Sequence, residues 1–398
     1  MTKQLHIGVL TGRIPYPNGM AAAQRIHLMA RAMAEAGADV NVWVDGLDGS
    51  DDKRNQDAIG VKDGIPYEYL LGKTQASHRK LMRVVDRFSL AKAVVQKIAQ
   101  RTTSQSFDGL YFYTPCSKFD FERVFFQNIF EKNKFPVLLD FREAPWSLNP
   151  KKTFFEKIVS PLWGADGVIC ISRFLEEWVT QESIRIDRNV PSIYVPILTD
   201  TNEIVPAHSP PIAKSVLFAG SMVYGETIRF LLAAMEVVWE KHADCRLVIT
   251  GGTTEASLGM SVKGKEEKIR FAGFVDRSVL LQEYSAASVL AIPLFDDVQS
   301  LARFPTKLGE YLASGRPVVT NQVGEISSFL KDGLSACVTP VGDVRAFANA
   351  ISRLLEHPVF AKDIGQEGRK VAEQHFHYAN YGARLCDFFS IYPSTEPK

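Results

Sequence analysis

Cysteine is scarce and scattered in this 398-residue chain. Five are present, Cys116, Cys170, Cys245, Cys337 and Cys386, and none forms a CxxC pair. That excludes a disulfide framework and fits free thiols in a reducing compartment. The eight histidines are equally dispersed, with only His375 and His377 close together, so no zinc site is expected. Charge of one sign is lacking too: 46 basic residues stand against 45 acidic ones. Nucleic acid is therefore not an expected partner, since that needs a strong basic excess. No apolar run approaches the roughly 18 residues of a membrane span. The first residues hold only a short apolar run broken by His6 and Gly8, unlike a secretory leader. The expected location is the cytoplasm, extending to peripheral contact with the inner face of the plasma membrane. Ser172 lies in no GxSxG elbow, which removes that hydrolase chemistry. Asp45, Asp48, Asp51 and Asp52 read as a polar loop and not a Mg²⁺-binding pair.

What is present is core material, 46% hydrophobic residues, in a length that suggests two or three domains. Short apolar runs alternate with helical patterns. Leu5–Leu10, then a helix with Ile26, Met29, Ala30 and Met33 on one face, then Val40–Val44 make a βαβ unit. Further strands are expected at Leu110–Tyr113, Val137–Asp140, Val168–Ile171 and Ser192–Val195. Five prolines between Pro191 and Pro211 interrupt the pattern. It resumes with strands at Ser215–Ala219, Arg246–Thr250, Ile269–Ala272 and Val289–Pro293, and helices between. The reading is an α/β protein of two doubly wound, Rossmann-like domains facing each other across a cleft. It places one domain at 1–198, a linker at 199–212, a second domain at 213–375, and a C-terminal helix at 376–398 packing back on the first. Ligands of such sheets bind at the carboxyl ends of the strands.

The richest stretch is SLARFPTKLGEYLASGRPVVTNQVG, Ser300–Gly324. A polar loop with Arg303 runs through Pro305 and Thr306 into a helix bearing Lys307 and Glu310 one turn apart. Two cations beside a helix N-terminus suit phosphate groups, and a carboxylate one turn further in suits a sugar hydroxyl. Together they suggest a pocket for a nucleoside diphosphate carrying a sugar.

These residues resemble the C-terminal signature of GT-B glycosyltransferases of family 4, the bacterial surface-polysaccharide type. The resemblance is carried by Phe304-Pro305-Thr306-Lys307-Leu308, Glu310 through Gly315, Pro317-Val318-Val319 and Gly324-Glu325. Gly273-Phe274-Val275 with Tyr284, Ala287 and Pro293 resembles the base-binding region of that family. The N-terminal segment around Pro15–Val42 is similar to its first loop and helix. The resemblance implies a retaining enzyme that uses a nucleotide-activated sugar and needs no metal or other cofactor. Glu310 matches the second Glu of the Glu-x7-Glu motif, which holds the donor ribose. The first falls at Ala302, a departure that implies either substitution by Arg303 or by Asp296 and Asp297 of the preceding loop, or an unusual donor sugar. After Gly220 the family's phosphate-binding cations are replaced by Ser221, Met222, Val223 and Tyr224. That leaves Arg303 and Lys307 with the phosphates. The expected donor contacts are Gly19, Gly220, Ser221, Phe274, Val275, Arg303, Pro305, Thr306, Lys307 and Glu310. Arg25 and His27, next to the Gly19 loop, read as helix surface or packing.

Asp140-Phe141-Arg142-Glu143-Ala144-Pro145-Trp146 follows an apolar strand and resembles a D-x-R-D-x-W stretch of the same family. Asp140, Arg142, Glu143 and Trp146 are the expected acceptor or sugar contacts. Arg303, Lys307 and Glu143 are the expected catalytic groups; Glu143 is a candidate base, the alternative being a same-face attack in which the leaving phosphate takes the proton. His78–Lys97 interleaves Arg79, Lys80, Arg83, Arg87 and Lys92 with apolar residues. Lys151-Lys152-Thr153-Phe154-Phe155 adds more of both kinds. Such a helix is either a solvated basic face or a contact for an anionic membrane and a lipid-linked acceptor. The expected function is transfer of a sugar from a nucleotide diphosphate sugar to a glycan or lipid-linked acceptor in cell-surface polysaccharide or glycoconjugate synthesis. The alternatives are a GT-B sugar-nucleotide epimerase and a catalytically degenerate nucleotide- or glycan-binding protein.

Overall fold

The computed structural model describes residues 4–48, 54–104, 107–113, 135–145, 160–207, 211, 213–220, 225–252, 254 and 264–392. The chain divides into two compact units, Met1–Leu198 with Tyr378–Lys398, and Thr199–His377.

In the first unit the elements are β1 (His6–Leu10), α1 (Ala21–Glu35), β2 (Asp39–Val44), β3 (Ile59–Lys62), β4 (Ile65–Tyr69) and α2 (Lys80–Ser104). They continue with β5 (Gly109–Tyr113), β6 (Val137–Phe141), β7 (Gly167–Cys170), α3 (Arg173–Arg185) and β8 (Ser192–Tyr194). The sheet order is β3-β4-β2-β1-β5-β6-β7-β8, and only the β3–β4 pair is antiparallel. Strand order reverses beside β1, so the carboxyl ends of β1 and β5 flank a switch point. GLYFY in β5 and VLLDF in β6 are buried throughout, as strands covered on both faces must be. Helix α1 ends where its apolar stripe ends, and Gly37 lies at φ +100°. The Gly37 N–H donates to the Ala34 carbonyl at 2.9 Å and the Ala38 N–H to that of Met33 at 3.1 Å. This is a Schellman cap, for which a residue with a Cβ would be strained. The β3–β4 hairpin is an element that the sequence pattern left unassigned. Asp63 and Gly64 both take positive φ, and an Asp-Gly pair of that kind closes a two-residue hairpin.

The second unit holds β9 (Ser215–Ala219), α4 (Gly225–Lys241), β10 (Arg246–Thr250), β11 (Ile269–Gly273), α5 (Arg277–Ala286), β12 (Val289–Ile292), α6 (Val298–Ala302) and α7 (Thr306–Ala313). It continues with β13 (Val318–Asn321), α8 (Ile326–Phe329), β14 (Cys337–Thr339), α9 (Val344–Glu356) and α10 (Pro358–Val371). The order β11-β10-β9-β12-β13-β14 is parallel throughout. Its switch point lies between β9 and β12. One face is covered by α4 and α9, where Leu231, Met235 and Val238 share a core with Phe347 and Ile351. Phe230 meets Phe347 edge-on at 5.4 Å.

The chain then passes through short turns into α11 (Gly382–Ser390), which belongs to the first unit. Leu385, Phe388 and Phe389 join Met29, Met33 and Tyr111 in the core there. At Gly382 a Cβ would sit 2.1 Å from the Ala32 carbonyl oxygen, so this contact with α1 requires glycine. The stretch read as the start of a linker, Thr199–Ala207, is strapped to the second unit. Thr199 donates to the Phe376 carbonyl at 2.8 Å and Ala207 to that of Ser314 at 2.9 Å, while Arg369 donates to Ile204 at 2.8 Å.

Candidate functional site

In the second unit the chain between β12 and β13 delivers α6 and α7 to the switch point. The sequence reads 300–303 as a polar loop, but Val298–Ala302 forms one helical turn. Asp297 caps it, its carboxylate accepting from the Ser300 N–H at 2.7 Å. Asp297 is thus engaged in shaping the backbone. Ala302, at the motif position where a Glu is usual, is fully buried. Arg303 follows as the C-cap of α6, and Pro305 as the N-cap of α7. Thr306 and Lys307 then open α7, with no side-chain cap and no acid in the first turn. A lysine at a helix start opposes the macrodipole, so this end is locally rich in positive potential.

Glu310 is buried, at 7% exposure, yet charged. Lys307 Nζ donates to Oε2 at 2.9 Å, Tyr284 OH to the same oxygen at 2.9 Å, and Arg277 Nη1 to Oε1 at 2.9 Å. Burial alone would raise its pKa, but Lys307 and Arg277 overcome that and hold it down at about 2. Arg277 in turn grips Glu203 through two bonds of 2.6 Å. Tyr284 packs edge-on against Tyr311 at 5.0 Å, and the Tyr311 hydroxyl accepts from the Ala219 N–H at 2.6 Å. The end of β9 is thereby fixed against α7.

The carboxyl ends of β9, β10 and β11 are joined by glycines. Gly220 donates to the Thr250 carbonyl at 3.0 Å and Gly251 to that of Gly273 at 2.8 Å. Gly251 lies at φ +109°, and a Cβ there would come within 2.5 Å of the Gly220 carbonyl oxygen. Phe274 stands at this edge 60% exposed, and Val275 is half-buried. Ser221 lies outside the described residues. A cavity of about 700 Å³ lined by Lys214, Ser215 and Arg246 opens at the amino-terminal ends of β9 and β10. Ligands of parallel sheets bind at the other ends, so that cavity is not the donor pocket.

In the first unit Gly19 is exposed just before α1, whose N-cap Met20 makes no side-chain bond. The loop is anchored by Tyr16, whose hydroxyl meets His27 Nδ1 at 2.7 Å, and by two 2.8 Å bonds between Asn18 and Asn55. Asp140, read as a sugar contact, is fully buried and corrects that reading. Its oxygens accept from Arg25 at 2.8 and 2.9 Å and from Tyr111 at 2.5 Å. Arg25 also donates to the Pro196 carbonyl at 2.7 Å. This pair therefore braces α1 against β6 and the segment after β8. Arg142 lies over the Tyr113 ring at 3.3 Å, and Glu143 is half-buried beside it in sequence. Trp146 and Lys151–Phe155 lie outside the described residues. Ser172 is the N-cap of α3, accepting from Leu175 N–H at 3.3 Å.

Sequence reasoning did not identify Arg277 or Glu203. Arg277 opens α5, and a cation at a helix start is an anomaly that could have flagged it. Glu203 sat in a stretch read as linker, where no periodic signal exists.

Residues 213–357 match the family described as glycosyl transferases group 1. The phosphatidyl-myo-inositol mannosyltransferase of Mycobacterium leprae is 33% identical over 153 residues, 38% of this chain and 39% of that protein. The chain spans less than half the length of the curated relatives it matches. Among solved structures, sucrose-phosphate synthase from Thermosynechococcus elongatus superposes with a TM-score of 0.71 at 18% identity, covering 98% of this chain and 99% of that one. Anabaena HepE in complex with UDP and glucose gives 0.69 at 16% identity, covering 96% and 99%. The fold is GT-B.

Proposed function

We propose, because residues 213–357 match the glycosyl transferases group 1 family and the fold is GT-B, that the chain moves a sugar from a nucleoside-diphosphate sugar to a glycan or lipid-linked acceptor with retention. The observation that carries this is the ionised, buried Glu310 beside Lys307 at the carboxyl edge of the second sheet. In this reading Glu310 takes the ribose hydroxyls and Phe274 with Val275 flank the base. Arg303, Lys307 and the first N–H groups of α7 take the diphosphate. The bond from the anomeric carbon to the diphosphate oxygen breaks, and one to the acceptor oxygen forms on the same face. The acceptor proton passes to the leaving phosphate, whose charge the cations stabilise. Arg142 and Glu143 are the proposed acceptor contacts. That HepE was solved with UDP supports a nucleotide donor here.

A thermal-shift panel of UDP, GDP, ADP, CMP and dTDP tests this. A ligand at about 100 times its dissociation constant should add roughly 2.7 kcal/mol of stability. Lys307→Ala should weaken the best diphosphate by roughly 1.5–3 kcal/mol, the worth of a charge-assisted contact. Unchanged affinity in the folded variant removes Lys307 from the site. Product analysis with donor alone separates transfer from epimerisation.

Contact with an anionic membrane is part of the same proposal. On α2, Leu81 is 76% and Phe88 75% exposed, with Met82 and Val85 also outward. Arg79, Arg83 and Lys92 are exposed around them. Lys97 pairs with Glu68 of β4, and Glu68 faces Ile59 across the β3–β4 ladder. Exposed Ile59 and Val61 thus lie on the same sheet face as Glu68, the partner of Lys97. Vesicles with phosphatidylglycerol should co-sediment the protein, and Leu81→Ser/Phe88→Ser should release it. Equal binding to neutral and anionic vesicles, or none to either, would remove this part.

A further inference from the structure

Lys307 is asked to do two things. In the structure its ammonium is spent on Glu310, while the nucleotide reading above, on which this inference rests, needs it on a diphosphate. Lys307 is about a third exposed and at the open end of α7, so it can turn outward. Glu310 cannot, and a buried carboxylate stripped of its cation would take up a proton or lose its orientation. The groups facing it are Lys307 and Tyr311 from α7, and Arg277 and Tyr284 from α5, with Glu203 behind Arg277. Once Lys307 departs, Arg277 is the remaining cation on that carboxylate among the described residues. Its guanidinium is already fixed in a two-bond fork with Glu203, which keeps the third N–H aimed at Glu310.

We propose that Arg277, anchored by Glu203, is the positioning residue of the donor site: it keeps Glu310 ionised and aimed at the ribose so that Lys307 is released to the diphosphate. Glu203 lies in the strap Thr199–Ala207, so that strap sets the geometry of the nucleotide site from outside the sheet. In this proposal Arg277 acts on the nucleotide through Glu310, to which its Nη1 donates at 2.9 Å.

The test has two readouts. The first needs no ligand: site-resolved carboxyl NMR of Glu310, assigned with Glu310→Gln. Glu310 should stay ionised between about pH 5 and 8 in Lys307→Met and in Arg277→Gln, and titrate within that window in the double variant. The second is calorimetry with UDP and GDP. Arg277→Gln should weaken the better of the two about tenfold, although Arg277 makes no contact with it, and Arg277→Lys should restore part of the loss. Glu203→Gln should act in the same direction and less. Titration of Glu310 near neutrality in Lys307→Met alone would overturn the proposal, as would wild-type affinity in Arg277→Gln. Absence of UDP and GDP binding in the wild-type protein would sink the nucleotide reading and the release of Lys307 with it. The carboxyl titration would then still decide whether Arg277 holds Glu310.

Discussion

Arg25→Met is expected to destabilise the first unit by roughly 3–5 kcal/mol, the usual result of removing one partner of a buried ion pair. Both partners are almost wholly inside, with side-chain exposure of 3% and 0%. Met fills much of the same volume, so the loss comes from charge and not from a cavity. It strands the Asp140 carboxylate with the Tyr111 hydroxyl as its one remaining donor among those described. Two backbone carbonyls, Val195 and Pro196, lose their donor as well. Pairing the change with Asp140→Leu should recover most of the stability, since an apolar pair needs no compensation. Burial pushes the Asp140 pKa up, but Arg25 outweighs it and the net shift is downward. A depressed carboxylate contributes stability above its unfolded value and loses it as pH falls through the folded one. Arg25→Met should therefore differ most from wild type above about pH 4 and converge with it in acid. Urea unfolding followed by hydrogen exchange in β6 and α1 reads the effect. A loss below about 1 kcal/mol would mean that the pair is solvated in solution, as surface pairs are.

Central parallel strands such as β5, β6 and β7 were legible because each is a short apolar run buried on both faces, and such runs owe little to distant context. The β3–β4 hairpin was not, although Ile65, Tyr67 and Tyr69 alternate inward against Pro66 and Glu68, because a proline inside a short run counts against a strand; the Asp63-Gly64 turn is the stronger signal. In the site, Lys307 and Glu310 declared themselves by lying one turn apart on a single helix. Arg277 comes from another helix 33 residues before Glu310 and Glu203 from a strap 107 residues before it, so the chain of contacts from Glu203 through Arg277 to Glu310 is a product of tertiary packing. Asp140 shows the converse. Its place at the end of an apolar strand is one that ligand-binding residues share, and only its fully buried pairing with Arg25 tells the two cases apart. A sequence reports the residue type available at a strand end but not which side of the sheet edge holds its partner.

Glu310→Gln should cost the second unit on the order of 3 kcal/mol near neutral pH and abolish measurable nucleotide affinity at the concentrations that saturate wild type. The amide preserves shape and one acceptor oxygen, so packing against Tyr284 and Tyr311 survives. Removal of the negative charge is the change, and it leaves Lys307 and Arg277 converging on a neutral group. The sign of the pH dependence follows from the carboxylate. Its pKa is about 2 in the folded protein against an ordinary 4.5, because Lys307 and Arg277 outweigh the burial that would raise it. The stability it supplies is therefore complete above about pH 4.5 and is lost as pH falls toward 2. A shift of that size corresponds to roughly 3 kcal/mol, in line with the cost of deletion. The wild-type advantage over Glu310→Gln, measured by urea unfolding at a series of pH values, should thus be flat above about pH 5 and shrink steadily below it. A gap that stays constant into acid would show that the carboxylate is not ionised through its two cations. Nucleotide affinity separates the structural and binding roles. Glu310→Asp keeps the charge and shortens the reach, and should retain the acid dependence while losing most of the affinity for the ribose.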